Sequence, residues 1–190
     1  MTATDSVRAA QLHYYGGASR PGVAANDALS DEEFSFIQSR DSFYLSTVSE
    51  TGWPYIQHRG GPAGFLRVLS PTQLAFADFK GNRQLLSTGN LAVNDRACLF
   101  LMDYPQRARL KILGHARVED AREHLALVDQ LAEPETRRLV ERIFFIEVES
   151  FNWNCSQHIT PRYTDAEVEA LLEPYRQRIK ELQNQLKTRQ

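Results

Sequence analysis

Cysteine, lysine and long apolar runs are scarce in this chain of 190 residues. The 2 cysteines, Cys98 and Cys155, are too few for a disulfide framework, so we expect reduced thiols in a cytoplasmic protein. No apolar run is long enough to span a membrane, and the N-terminus lacks the charged start and apolar stretch of a signal peptide. The net charge of −2 gives the whole molecule no electrostatic reason to bind nucleic acid or an anionic membrane.

The basic side chains are mostly arginines, and only Lys80, Lys111, Lys180 and Lys187 are lysines. The planar fork of arginine suits bidentate contacts to phosphate, whereas lysine acts more as a point charge. The hydrophobic fraction of 42% and the charged fraction of 24% are ordinary for a globular protein of one domain with a substantial core. Composition therefore allows an anion-binding site but does not locate it.

Short strand patterns separated by tight turns dominate the middle of the chain. The predicted strands are Ser42–Ser49, Trp53–Arg59, Phe65–Leu69, Gln73–Asp78, Ala97–Met102, Arg109–Val118 and Arg142–Glu149. The predicted helices are Val7–Tyr14, Ser30 to about Arg40, Asn82–Thr88, Ala121–Val140 with a break at Pro134, and Thr164 toward Gln190. This spacing argues for an antiparallel barrel or sandwich and against a doubly wound parallel sheet.

We divide the chain into an N-terminal arm (1–29), a central domain (30–163) and a C-terminal helix (164–190). Both the second and the last predicted helix begin with a capping box, at Ser30–Glu33 and Thr164–Glu167. We expect the first of these to bury Phe34 and Ile37. In the last helix we expect a kink at Pro174. Its thin apolar stripe of Ile179, Leu182 and Leu186 predicts packing on the barrel or on a partner subunit.

Two polar segments follow predicted strands and are candidate anion sites. In Gln57-His58-Arg59-Gly60-Gly61-Pro62, paired glycines allow a close approach of backbone to ligand while the guanidinium binds an anion. The alternative is a glycine-rich connection with an exposed arginine. In Asp78-Phe79-Lys80-Gly81-Asn82-Arg83-Gln84, free amides at a helix start would favour phosphate beside Lys80 and Arg83. The alternative is a solvated loop that Asn82 caps.

A third segment, Trp153–Arg162, combines an aromatic face, an amide, an imidazole and a guanidinium within ten residues. These groups suit a planar, polar-edged, anionic ligand such as a flavin nucleotide. Trp153 could instead be a core aromatic, and His158 a hydrogen-bonded structural histidine. Cys155-x-x-His158 has the form of half a metal site, but no second pair stands at zinc spacing, so no metal is predicted. A catalytic Cys–His pair is a further alternative that no other feature supports.

Together and in this order, the three segments resemble the flavin-binding split-barrel family related to pyridoxamine 5′-phosphate oxidase, over about residues 31–163. Gly89-Asn90-Leu91 and Arg109-Leu110-Lys111-Ile112-Leu113-Gly114 add to the resemblance. It implies a mainly β fold, a six-stranded antiparallel split β-barrel with flanking helices. It also implies FMN as the cofactor and a homodimer with the FMN sites at the subunit interface.

The resemblance also implies roles for single residues. Arg59 approaches the FMN phosphate and ribityl chain, Arg83 grips the phosphate, and Lys80 supplies the charge lost where Asn82 and Gln84 replace a serine and a lysine of the family. Arg109 and Lys111 face the flavin ring, and Trp153 comes from the partner chain. The full predicted cofactor-binding set is Gln57, His58, Arg59, Gly60, Gly61, Asp78, Lys80, Asn82, Arg83, Gln84, Arg109, Lys111, Trp153 and Gln157.

We therefore expect an FMN-dependent oxidoreductase that acts on an unidentified small organic substrate, with His158 as a candidate proton donor. The Arg-Leu-His-Asp-Arg stretch with which the vitamin B6 oxidases hold substrate phosphate is missing, so we expect another substrate. The alternative is a non-catalytic module that binds flavin, F420 or haem on the same barrel. A third hypothesis is an interaction protein whose C-terminal helix pairs with a partner.

Overall fold

The computed structural model describes residues 4–17, 28–153 and 157–188. Its seven strands are β1 (Ser42–Val48), β2 (Pro54–Gly60), β3 (Arg67–Ser70), β4 (Gln73–Phe79), β5 (Arg96–Asp103), β6 (Ala108–Asp120) and β7 (Val140–Trp153). The α-helices in this part of the chain are α1 (Asp5–Tyr15), α2 (Asp31–Gln38), α3 (Leu86–Val93), α4 (Leu125–Leu131) and α5 (Asp165–Thr188). Two 3₁₀ turns, Ala121–Glu123 and Arg137–Leu139, flank α4.

The strands form one sheet in the order β2-β1-β5-β6-β7-β4-β3. The pairings β1–β2, β1–β5, β3–β4, β4–β7 and β6–β7 are antiparallel. The expected mainly β, antiparallel architecture with flanking helices and a long C-terminal helix is confirmed. The sheet has the seven strands that the sequence patterns predicted, one more than the six that the family resemblance implied, and the short hairpin of β3 and β4 joins it through β7.

The described chain forms two compact units. The first holds the sheet up to Met102 and from Arg109 onward, together with the helices up to α4. The second holds the turn Asp103–Ala108 and the residues from Gln157 through α5. Within this second unit the Arg162 guanidinium lies 5.0 Å from the centre of the Tyr104 ring.

The core of the first unit lies against one side of the sheet, where apolar residues alternate along the strands. Its fully buried side chains include Phe43, Leu45, Leu99 and Phe144. A β-bulge interrupts the long β6–β7 pairing between Leu113 and Gly114. There a Cβ on Gly114 would stand 2.2 Å from the Glu147 carbonyl oxygen, so only glycine lets the two backbones approach.

Four local predictions were wrong in detail. The helix expected over Ala121–Val140 is limited to α4 between two 3₁₀ turns, and Val140 begins β7. In α2 the capping box of Ser30 and Glu33 is present and Ile37 is buried, but Phe34 is 37% exposed and Glu33 is buried in its place. The helix expected from Asn82 begins at Leu86, because the residues before it turn through left-handed backbone at Arg83 and Leu85. The last strand, expected to end at Glu149, continues to Trp153.

The C-terminal helix begins at the predicted capping box. The Thr164 hydroxyl accepts from the Glu167 amide at 3.3 Å, and the Glu167 carboxylate accepts from the Thr164 amide at 2.7 Å. The helix runs on through Pro174 to Thr188, and a kink at Pro174 stays a prediction. Among the described helices, none is both long and apolar enough to cross a membrane. The arm, domain and helix boundaries proposed from the sequence also stay predictions.

Candidate functional site

A cleft of about 210 Å³ opens beside the edge strand β2, within the first unit. Its lining residues come from β2, the end of β4, the loop that leads into α3, the first residues of α3 and the start of β7. They are Tyr55, Gln57, Arg59, Asp78, Phe79, Gly81, Asn82, Arg83, Gln84, Leu85, Leu86, Ser87, Thr88 and Arg142. Because side chains alternate along a strand, Tyr55, Gln57 and Arg59 share one side of β2 and all contribute to this wall.

Asp78 stands at the base of the cleft between two arginines. The register of β4 and β7 places Asp78 opposite Arg142, whose Nε and Nη2 donate to Asp78 Oδ2 at 2.9 and 2.8 Å. Arg59 Nη1 donates to the other carboxylate oxygen at 2.6 Å. All three side chains are less than 20% exposed, so the carboxylate is matched by two guanidinium groups where solvent screening is weak.

The Arg59 guanidinium is held in place, but not all of its hydrogen-bond donors have an acceptor. Its Cζ lies 5.0 Å from the centre of the Phe144 ring and 5.6 Å from that of Phe76, so two core aromatics support the charged group. Its Nε is buried and has no hydrogen-bond partner among the described residues. A buried donor without a partner costs about 1–3 kcal/mol, and an acceptor in the cleft would remove that cost.

The loop into α3 adds a second guanidinium at the mouth of the cleft. Arg83 adopts φ 63° and is exposed, and it has no ion pair or hydrogen bond within the described part of the chain. The Asn82 side-chain oxygen accepts from the Gln84 amide at 3.1 Å and shapes the turn. The buried Ser87 hydroxyl donates to Gln57 Oε1 at 3.1 Å and ties α3 to β2. The cleft thus presents two arginines, Arg59 and Arg83, that have hydrogen-bond donors without an acceptor, above the ion pairs of Asp78.

Six of the predicted cofactor-binding residues lie together in this cleft, namely Gln57, Arg59, Asp78, Asn82, Arg83 and Gln84. The exposed side chain of Lys80 does not line the cleft, and its backbone amide donates to Leu139 O at 2.9 Å. His58 faces the other side of β2, where its ring meets Tyr44 edge to face at 5.7 Å.

The glycine pair after β2 serves internal packing. A Cβ on Gly61 would stand 2.8 Å from the Phe65 ring, and the Gly61 amide donates to Asp41 O at 2.9 Å. Gly60 ends β2 opposite Ser42. Gly61 therefore makes its close approach to Phe65, Gly60 makes its own to the His58 ring, and neither glycine lines the cleft.

Arg109 and Lys111 lie on β6, where they alternate with the buried Leu110 and Ile112 and so face away from the core. Arg109 Cζ is 5.9 Å from the Phe100 ring centre, and its buried Nε has no hydrogen-bond partner in the described residues. Burial raises the pKa of the nearby Cys98 thiol, and the charge of Lys111 partly offsets the rise. Cys98 is partly exposed.

Trp153 packs inside the first unit. Its indole Nε1 donates to Glu33 Oε1 at 2.6 Å, and its ring meets Phe36 edge to face at 4.7 Å. Burial raises the pKa of Glu33, but hydrogen bonds from Ser30 and Trp153 outweigh it and hold the pKa below 4.5. Within one chain Trp153 is therefore a core aromatic, the alternative to cofactor binding that the sequence offered. A contact of Trp153 to the cofactor of a second chain stays a prediction.

The last predicted residues belong to the second unit or lie outside the described residues. Gln157 and His158 are exposed members of the second unit, and His158 adopts φ 63°. Cys155 lies outside the described residues, so the Cys–His alternative is not resolved. In residues 4–17, 28–153 and 157–188, no group of three or more His, Cys, Asp or Glu side chains is placed to hold a metal ion.

Four polar cleft residues were not predicted from the sequence: Tyr55, Ser87, Thr88 and Arg142. The alternation on β2 that carries Gln57 and Arg59 also carries Tyr55, and that signal was available. Arg142 joins the site only through the long-range pairing of β4 with β7, and its position opposite Asp78 could be found only once that register was known.

A sequence model described as pyridoxamine 5′-phosphate oxidase matches residues 29–147. The chain belongs to the pyridoxamine 5′-phosphate oxidase family. The match includes β1 to β6 and every residue that lines the cleft. No curated protein sequence is significantly similar to the chain.

Solved structures share the fold of this family member at low sequence identity. A candidate pyridoxamine 5′-phosphate oxidase from Lactobacillus delbrueckii is 19% identical, with a TM-score of 0.53 over 68% of this chain and 99% of that one. A general stress protein 26 relative from Clostridium acetobutylicum is 17% identical, with a TM-score of 0.51 over 68% and 88%. HupZ of Group A Streptococcus is 14% identical, with a TM-score of 0.51 over 71% and 100%.

The cleft fits the phosphate end of a flavin nucleotide. The buried Arg59 Nε lacks an acceptor, and Arg83 is unpaired at the mouth. The Asp78 carboxylate would repel an anion, but both of its oxygens are already neutralised by arginine. The lining as a whole holds three arginines and one carboxylate, which leaves a positive balance for a phosphate monoester.

Proposed function

We propose that this chain is a homodimeric, FMN-dependent oxidoreductase that acts on a small organic substrate in the cytoplasm. The observation that carries the proposal is that Arg59 and Arg83 line the same cleft. The Asp78 carboxylate at its base is already paired with Arg59 and Arg142, so it does not leave a free negative charge. Arg59 would bind the phosphate and ribityl chain through its unpartnered Nε, and Arg83 would bind the phosphate from the mouth. When bound, FMN supplies the redox chemistry, and the protein binds and orients it.

The size of the cleft supports a second chain at the site. Pockets that enclose a whole small ligand commonly measure about 300–1,000 Å³. The cleft measures about 210 Å³, enough for the phosphate end, so the ring system needs a further surface. Edge strand β2 and its neighbourhood expose Trp53 (76%), Ile56 (65%) and Tyr44 (41%), an apolar area that a partner subunit would cover.

The outer side of the sheet offers cations for the flavin ring. Arg109 and Lys111 are half-buried on β6, and the Arg109 Nε lacks an acceptor. A cation near the carbonyl edge of the ring favours its reduced anion, so either residue would make reduction easier. Because Arg109 and Lys111 face away from the core, this role requires the ring to lie on that side of the sheet.

The described lining of the cleft contains no histidine, cysteine or lysine. The serine, threonine and tyrosine hydroxyls in the lining have no histidine or lysine there to activate them, which favours chemistry carried by a bound cofactor. A carrier or sensor of flavin would use the same phosphate contacts, and turnover separates the two roles. If the reduced protein passes electrons to no acceptor faster than free FMN does, the carrier role replaces the enzyme.

The test begins with the absorption spectrum of the isolated protein and FMN titration of the wild type, Arg83→Ala and Arg138→Ala. Arg83→Ala removes a charge-assisted phosphate contact of about 1.5–3 kcal/mol, so affinity should fall roughly tenfold or more. Arg138, an exposed arginine outside the cleft, is the matched control and should leave affinity unchanged. A colourless protein that takes up no added FMN overturns the proposal, and equal affinities of the two variants show that the phosphate lies elsewhere.

A further inference from the structure

The apolar residues of α5 follow a heptad spacing. One stripe of apolar residues runs along the helix from Val168 to Leu186, and its successive members are 4, 3, 4, 3 and 4 residues apart. In heptad notation the a positions are Leu172, Ile179 and Leu186, and the d positions are Val168, Tyr175 and Leu182. All six are apolar or aromatic, which is the pattern of a helix that pairs with another helix.

This stripe, which we call the α5 seam, is exposed in the single chain. Its six side chains are between 39% and 70% exposed, and no residue of α5 up to Lys187 is buried. A lone helix is marginal in water, and an interior proline costs about 3 kcal/mol relative to alanine. Pro174 occupies a c position, on the outer side of the helix, so it does not obstruct the seam. The helix therefore needs a partner, and the seam is the side free to receive one.

The charges beside the α5 seam are balanced within the helix. Arg176 pairs with Glu169, where the guanidinium lowers the pKa of the carboxyl, and both occupy e positions. Arg178, at a g position, pairs with Glu181 at 2.9 Å. These pairs within the helix lower the net charge beside the seam, so charge repulsion does not prevent an identical helix from packing there.

Helix direction changes which flanking residues face each other. In an antiparallel pair that keeps the a and d layers matched, Arg176 faces the partner's Arg176 and Arg178 faces the partner's Arg178. In a parallel pair, g faces e of the next heptad, so Leu171 faces the partner's Arg176 and can pack on its aliphatic stem. Like-charge contacts thus disfavour the antiparallel pair.

We propose that α5 of one chain forms a parallel two-stranded coiled coil with α5 of a second copy through the α5 seam. The coil extends about 27 Å from Val168 to Leu186 at 1.5 Å per residue. This proposal rests on the proposed function only for the presence of two copies. The second copy would cover the α5 seam, none of whose residues lines the flavin cleft. Two-fold symmetry about the coil axis is compatible with a symmetric dimer of the sheet domains.

Disulfide cross-linking of the full-length protein tests both partner and direction. Leu186→Cys introduces a thiol at an a position, and Lys187→Cys, the matched control, introduces one at the neighbouring b position. A parallel coil brings the two copies of residue 186 into one layer, within the Cα separation below about 7 Å that a disulfide needs. The antiparallel pair separates them by about 27 Å. Wild type, with Cys98 and Cys155, measures the background.

Mild oxidation should convert most of Leu186→Cys from the 21.7 kDa band to a band of twice that mass on non-reducing gels, and a reductant should reverse the shift. Lys187→Cys should stay at the wild-type background. No dimer band from Leu186→Cys above that of Lys187→Cys overturns the coil. Flavin uptake is read separately: a flavin-bound dimer without cross-linking refutes only the coil, and cross-linking without flavin uptake refutes only the proposed function.

Discussion

Removing the indole N–H of Trp153 while keeping an aromatic ring there separates a role in the fold from a role beside a cofactor. In the structure Trp153 donates to Glu33 at 2.6 Å, and Glu33 is only 3% exposed. A hydrogen bond to a charged group contributes about 1.5–3 kcal/mol to stability. Trp153→Phe should therefore lower the free energy of unfolding by about that amount. For a chain of this length, a loss of about 2 kcal/mol corresponds to a fall in Tm of roughly 4–8 °C.

The effect of Trp153→Phe should depend on pH. Hydrogen bonds hold the folded pKa of Glu33 below its unfolded value of 4.5. A carboxyl with a depressed folded pKa stabilises the fold above its unfolded pKa, and this contribution is lost as the pH falls through the folded value. The difference between wild type and variant should be full at neutral pH and should shrink below pH 4.5.

Urea unfolding followed by circular dichroism measures both effects. A double-mutant cycle with Glu33→Gln isolates the part of the coupling between Glu33 and Trp153 that depends on the carboxylate charge, because a glutamine side chain still accepts a hydrogen bond. Tyr15→Phe is the control, because Tyr15 is 82% exposed and the change removes a polar group while keeping the ring, so stability should stay nearly unchanged. If Trp153→Phe unfolds at the wild-type urea concentration while FMN affinity falls, the core role is refuted and the cofactor role predicted from the sequence takes its place.

Two further substitutions test the sheet. Gly114→Ala places a Cβ 2.2 Å from the Glu147 carbonyl oxygen, so the β6–β7 bulge must shift. The free energy of unfolding, measured in urea, should fall by at least the roughly 1–3 kcal/mol typical of overpacking. Gly89→Ala, with nothing within 4 Å of the new Cβ, is the control, and equal stability of the two variants contradicts the bulge geometry. Asp78→Asn leaves Arg59 without a counter-charge and Arg142 with Glu141 alone, and it should cost about 3–5 kcal/mol of unfolding free energy, measured in urea. An unchanged free energy of unfolding would mean that the cleft base is not a buried ion cluster.

Local chemistry predicted much of this fold. The hairpins of β1–β2 and β5–β6 follow from alternating apolar residues around turn sequences, and both capping boxes formed at Ser30 and Thr164. Glu33 was missed as a core residue because helical periodicity treats a carboxylate as a surface group. Its burial depends on donors from Ser30 and Trp153, and the indole lies 120 residues away in the sequence.

The site was predictable where it follows local sequence and not where it depends on register. Arg59, Asn82 and Arg83 were found from their segments, and the structure brings them to one cleft. Arg142 reaches Asp78 only through the β4–β7 pairing, and the start of α3 was misplaced because Leu85 adopts φ 51°, a conformation that leucine rarely takes. Pairing across 64 residues and left-handed backbone at non-glycine positions have no local sequence signal.

The left-handed backbone at Arg83 and Leu85 has a consequence for how tightly the cleft can bind. Each such residue costs about 1–2 kcal/mol relative to ordinary backbone, and the rest of the fold must hold it in place. The loop therefore takes its shape during folding, before any ligand arrives. An arriving anion would lose little affinity to loop ordering, so the cleft acts as a preorganised receptor.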